Sequence, residues 1–120
     1  MTSESEIQAK AMLAIGSLPG VKISRNSIGV ARDRSGNTIR FGLFGAGGAD
    51  IIGFKSVIVT PEMVGEKLAI FLAVEVKNES GRVRPEQKRF LDVVSDAGGI
   101  AGIVRSPEDA LALVGVVDAV

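Results

Sequence analysis

The 120-residue sequence predicts an α/β domain in which helices flank a mixed central β-sheet. Three observations carry that prediction. Leu68 to Lys77 reads as a strand with apolar residues on both faces, the pattern of a central, buried strand. Helical periodicity opens the chain and returns after that strand. Short β-forming runs separated by Gly- and Pro-bearing turns fill the interval. The length suits a single domain over residues 1–120, able to remove about two-thirds of its unfolded surface from water.

The first helix is predicted from Glu4 to Leu18, with Ile7, Ala11, Ala14, Ile15 and Leu18 on one face. Ser3 followed by Glu6 is a capping-box pattern, and Pro19-Gly20 ends the helix. Val21 to Val30 reads as a strand, Asp33 to Asn37 as a turn, and Thr38 to Leu43 as the hairpin partner. Gly42 to Gly53 holds five glycines. Phe54 to Val59 is a short strand, and Pro61 marks a break. In the central strand, Leu68, Ile70, Leu72, Val74 and Val76 point one way; Ala69, Phe71, Ala73, Glu75 and Lys77 point the other. A polar turn, residues 78–81, leads to a helix from Pro85 to Ala97 stopped by Gly98-Gly99. Ile100 to Arg105 is another strand, and Ser106-Pro107 starts a last helix.

Composition restricts the chemistry. The chain has no Cys and no His, which excludes disulfides, thiolate nucleophiles, Cys-ligated zinc and imidazole bases. Catalysis would have to use carboxylates, Lys, Arg, Ser or Thr, and carboxylates without imidazole favour the hard cations Mg²⁺ or Mn²⁺. The polar, acidic opening Met1 to Glu6 is unlike a signal peptide, and no apolar run reaches the length of a membrane span. A cytoplasmic protein without a membrane partner is the expectation. Net charge is zero, yet two segments are basic. Lys22, Arg25, Arg32, Arg34 and Arg40 stand against Asp33, and Arg82, Arg84, Lys88 and Arg89 against Glu86. Such segments suit phosphates or are solvated loops.

Glu75 and Lys77, two apart on a strand, share a face that is apolar up to that point. A carboxylate there needs a pair, hydrogen bonds or a metal. The Val76 carbonyl between them is a further candidate oxygen ligand. The alternative is a charge pair meeting solvent at a strand end. Asp50 follows Gly47-Gly48-Ala49 and is either a second metal-binding carboxylate or a turn Asp. Gln87 lies at the core's edge or on the surface, and Glu6 reaches a site or merely caps. Arg25 and Arg105, each ending an apolar stretch, meet phosphate or solvent. The glycine-rich stretch departs from both phosphate-loop patterns: Phe54 separates Gly53 from Lys55-Ser56, and Asp50 stands where a dinucleotide fingerprint needs its third Gly.

Asp50, then Glu75-Val76-Lys77, then Gln87 resembles the core of the PD-(D/E)XK nucleases. The fuller run includes Glu4 to Gln8, Gly47 to Gly53, Arg84 to Phe90 and Gly98 to Ser106. It resembles the virus-type replication-repair nuclease (VRR-NUC) domain in its stand-alone phage or bacterial form, over nearly the whole chain. One departure is Ala49, where the superfamily's namesake has Pro. The resemblance implies a restriction-endonuclease-like core and a structure-specific DNA endonuclease. Asp50 and Glu75 would bind the metal with the Val76 carbonyl, and Lys77 would orient the attacking water and steady developing charge. Gln87 would support the site, Glu6 would match the first helix's acid, and Arg25, Lys88 and Arg105 would contact DNA. It also implies a homodimer acting on branched DNA such as Holliday junctions, in the host cytoplasm if phage-encoded. Two other readings remain: a non-catalytic nucleic-acid-binding subunit using the basic segments, and a nucleotide-binding protein using the glycine loop.

Overall fold

The computed structural model describes residues 2–115. It is α/β, with three helices beside small sheets of two strands each. The chain forms two compact units, Met1–Val57 and Ile58–Val120.

In the first unit, helix α1 spans Glu4–Gly16, and the Ser3 hydroxyl accepts the Glu6 N–H at 3.2 Å. The helix packs on β1 (Val21–Arg25). Its least exposed positions are Gln8, Ala11 and Met12, whereas Ile7, Ile15 and Leu18 of the expected apolar side are exposed. A five-residue strand covers only a narrow strip of a helix.

The predicted strand Val21–Val30 is two strands, β1 and β2 (Gly29–Arg32), interrupted at Asn26. Strand β2 pairs antiparallel with β3 (Thr38–Phe41), as the hairpin pattern predicts. Strand β1 instead pairs antiparallel with β4 (Ile51–Lys55), from Val21 opposite Lys55 to Arg25 opposite Ile51. The fourth strand thus starts three residues before the predicted Phe54 and ends at Lys55. Gly53 fits this pairing: it lies so close to the backbone of Lys22 and Ile23 that a Cβ would overlap both, so the ladder admits only Gly there.

In the second unit, a 3-10 turn (Pro61–Met63) precedes β5 (Leu72–Val76), α2 (Pro85–Asp96), β6 (Ile100–Val104) and α3 (Pro107–Val114). Strands β5 and β6 pair in parallel, Leu72 opposite Ile100 through Val76 opposite Val104, with α2 as the crossover. The predicted strand began at Leu68, four residues earlier. Strand β6 supplies only five partners after the Gly98-Gly99 stop, so the ladder ends near Phe71, whose carbonyl accepts the Ile100 N–H at 2.9 Å. Among the described residues, Leu91 and Val94 of α2 and Val104 of β6 are the buried hydrophobic ones. On α3, Leu113 packs against Gly102, where a side chain would meet it. Strand β5 is half covered: Phe71, Ala73, Glu75 and Lys77 are partly shielded, while Leu72, Val74 and Val76 are exposed. The expectation of burial on both faces fails, because among the described residues α2 covers one face of β5 and leaves the other open.

Candidate active site

Strand alternation puts Glu75 and Lys77 on the face of β5 that α2 partly covers. Lys77 Nζ lies 3.6 Å from Glu75 Oε1, with the side chains 17% and 32% exposed respectively. Gln87, in the first turn of α2, donates from Nε2 to the same Glu75 oxygen at 2.7 Å. Its own Oε1 accepts the Arg84 N–H at 3.0 Å. Only the amide oxygen can take that backbone donor, so the amide nitrogen must face Glu75. Helix start and carboxylate are joined through one side chain.

Both contacts fall on Oε1. Among the described residues, Glu75 Oε2 has no hydrogen-bond or ion-pair partner. The adjacent carbonyl is also available. The Phe71 carbonyl and the Lys77 N–H both bond to β6, the latter to Val104 O at 3.0 Å. Successive residues of a strand direct their backbone groups to opposite edges. The Val76 carbonyl therefore faces away from β6. A carboxylate oxygen and a carbonyl oxygen beside a lysine make a hard donor set suited to Mg²⁺ or Mn²⁺. Among the described residues no three Asp or Glu side chains gather. Mg²⁺ does not require three, since it keeps several waters and takes one or two carboxylates.

Lys77 is held along its length. Its stem runs past Gly81, where a Cβ would lie 3.3 Å from Lys77 Cβ. Arg105 closes that turn, donating from Nη1 to the carbonyls of Asn78 at 2.6 Å and Gly81 at 2.9 Å. Arg105 thus supports the turn on which Lys77 rests, and carbonyl partners leave its charge unneutralised. Lys88 is ion-paired with Asp92 at 2.7 Å, one turn along α2.

Asp50 belongs to the first unit, Glu75, Lys77 and Gln87 to the second. Asp50 is exposed, one residue before β4. Its carbonyl accepts the Asn26 N–H at 2.8 Å. Arg25 stands opposite Ile51, the residue that follows Asp50. Glu6 is exposed on α1, and its N–H is capped by Ser3.

Asn26 went unnoticed in the sequence, yet it anchors the acid's loop. Its Nδ2 donates to the carbonyls of Leu43 at 3.1 Å and Ala49 at 2.9 Å, and its Oδ1 accepts the Leu43 N–H at 2.8 Å. One side chain closes both ends of the glycine-rich stretch that precedes Asp50. The available signal was a polar residue interrupting an otherwise β-forming run.

A family model for the VRR-NUC domain matches residues 36–108, more than half of the chain. No curated protein and no solved structure matches.

Proposed function

The chain belongs to the VRR-NUC domain family, and from that premise we propose that it is a divalent-metal-dependent endonuclease. It hydrolyses phosphodiester bonds in DNA, preferring branched forms such as Holliday junctions, and it acts as a homodimer in the cytoplasm. The observation that supports this reading most is the joining of Glu75, Lys77 and Gln87 at the end of β5. That grouping is more than the solvent-facing charge pair a strand end would provide.

In this reading Asp50, Glu75 and the Val76 carbonyl hold Mg²⁺ or Mn²⁺. When bound, the metal would lower the pKa of a water and neutralise phosphate charge. Glu75 keeps Oε2 for this task because Gln87 and Lys77 both engage Oε1. Lys77 places a cation where the phosphate gathers charge and orients the attacking water. Gln87 positions Glu75 without touching substrate. Glu6 takes the outer acidic position of the first helix. Arg25 and Arg105 contact the DNA backbone, and Lys88, already paired with Asp92, contributes least.

The test is a cleavage panel of four-way junctions, flaps and linear duplexes with Mg²⁺ or Mn²⁺. Cleavage of junctions that falls at least 100-fold in Lys77→Ala and in Asp50→Asn is expected. Absence of cleavage on every substrate, or a fully active Lys77→Ala, would overturn the assignment. Metal-independent DNA binding without cleavage would favour a non-catalytic binding subunit.

A further inference from the structure

The β2–β3 hairpin has two unlike faces. Directly opposed residues of an antiparallel pair share a face. Gly29 opposes Phe41 and Ala31 opposes Ile39, which makes one face apolar. The Phe41 ring lies over Gly29, where a Cβ would overlap it. On the other face Val30 opposes Arg40 and Arg32 opposes Thr38. Arg32 and Arg40 are therefore diagonal neighbours on one side of the ribbon, and both are exposed. Arg34 follows in the turn at the ribbon's tip.

The one acid in this segment is committed elsewhere. Asp33 Oδ1 accepts the N–H groups of Ser35 at 2.9 Å and Asn37 at 2.8 Å. The Asp33 backbone closes the same turn, its carbonyl accepting from Gly36 and its N–H donating to Asn37 O. Asp33 thus shapes the turn. Among the described residues, none of Arg32, Arg34 and Arg40 has an ion-pair partner.

We propose that the Arg32–Arg40 face of the β2–β3 hairpin is a binding site for the phosphate backbone of duplex DNA, built from residues other than those proposed for catalysis. The inference rests on the DNA-nuclease reading for the identity of its polyanion. A two-stranded ribbon matches the dimensions of a duplex groove, and its arginines reach the phosphates along it. Guanidinium groups present paired N–H donors to phosphate oxygens, and the turn built on Asp33 fixes the ribbon before DNA arrives. Beside the arginines, that face carries only Val30 and Thr38. It supplies grip and register rather than sequence preference.

The experiment measures equilibrium binding of a linear 24-base-pair duplex, in EDTA, across a salt series. The proteins are wild type, Arg32→Thr/Arg40→Thr and Arg32→Lys/Arg40→Lys. Threonine keeps the strand propensity, so the hairpin should persist, and circular dichroism checks it. Each phosphate contact contributes about 0.9 to the slope of log K against log salt. The threonine variant should lose about 1.8 from that slope and bind at least tenfold more weakly at 0.1 M salt. The lysine variant should keep the slope. Lys67→Ala, which removes a cation outside the hairpin, should change the slope by less than half that amount.

An unchanged slope in the threonine variant would overturn the site, as would an equal loss in Lys67→Ala or absence of duplex binding by wild type. Because no metal is present, the outcome is independent of hydrolysis. A protein that cuts nothing yet shows the expected slope loss sinks the endonuclease reading and keeps the ribbon. Cleavage that needs Lys77, with an unaltered slope in the threonine variant, does the reverse.

Discussion

Replacing Asn26 with alanine should loosen the segment that carries Asp50 without touching the acid itself. The side chain makes three hydrogen bonds, two to the carbonyls of Leu43 and Ala49 and one from the Leu43 N–H, all between 2.8 and 3.1 Å. A neutral hydrogen bond contributes about 0.5–1.5 kcal/mol net, and stranded groups cost more when water cannot reach them. Asn26 is half-buried, so water can replace part of what is lost. The sum is about 2 kcal/mol. In urea this moves the unfolding midpoint by roughly 1 M for a slope typical of a small protein. Asn26→Asp should be at least as damaging at neutral pH. It keeps the acceptor for the Leu43 N–H but turns a carboxylate oxygen toward two carbonyls. Urea denaturation gives the energy, and hydrogen exchange locates it: the Leu43 amide should lose protection in Asn26→Ala. If Asn26→Ala lies within 0.5 kcal/mol of wild type and Leu43 remains protected, the side chain does not hold the loop and the reasoning fails.

Two further outcomes follow from single contacts. Gln87→Ala removes the 2.7 Å donor to Glu75, and it should raise the metal concentration for half-maximal cleavage about 10- to 100-fold, with stability changed by about 1 kcal/mol or less because Glu75 is partly exposed. An unaltered metal titration would show that Gln87 does not position the carboxylate. Ser106→Ala removes the hydroxyl that accepts the Asp109 N–H at 3.0 Å at the start of α3; a cost of about 1 kcal/mol, read as a fall of roughly 4 °C in Tm, is expected. Asp109 still accepts the Arg105 N–H, so a loss above about 2 kcal/mol would mean the cap does more than satisfy one donor.

Local rules were legible in the chain. Ser3 and Ser106 cap the helices they precede, and Pro85 and Pro107 sit in first turns. The hairpin turn at Asp33 to Asn37 closes as its residues suggest. These features depend on a few neighbouring residues, and sequence spacing controls them directly. Strand partners were less legible. Nothing local says that Val21–Arg25 leaves the hairpin to pair with Ile51–Lys55, since ladder partners meet across a long stretch of chain. The ends of β5 were set by the length of β6, not by the apolar run from Leu68.

The candidate site divides the same way. The two-residue period of a strand was enough to put Glu75 and Lys77 on one face, because side chains alternate whatever the strand packs against. The absence of His and Cys was enough to limit the chemistry to oxygen ligands and a lysine. The tertiary structure decided that Gln87 reaches Glu75 from α2, that Arg105 closes the turn beside Lys77, and that Asn26 anchors the stretch before Asp50. Each of those contacts joins residues 12 to 27 positions apart. Their geometry depends on how helix, strand and loop pack, which no spacing along the chain encodes.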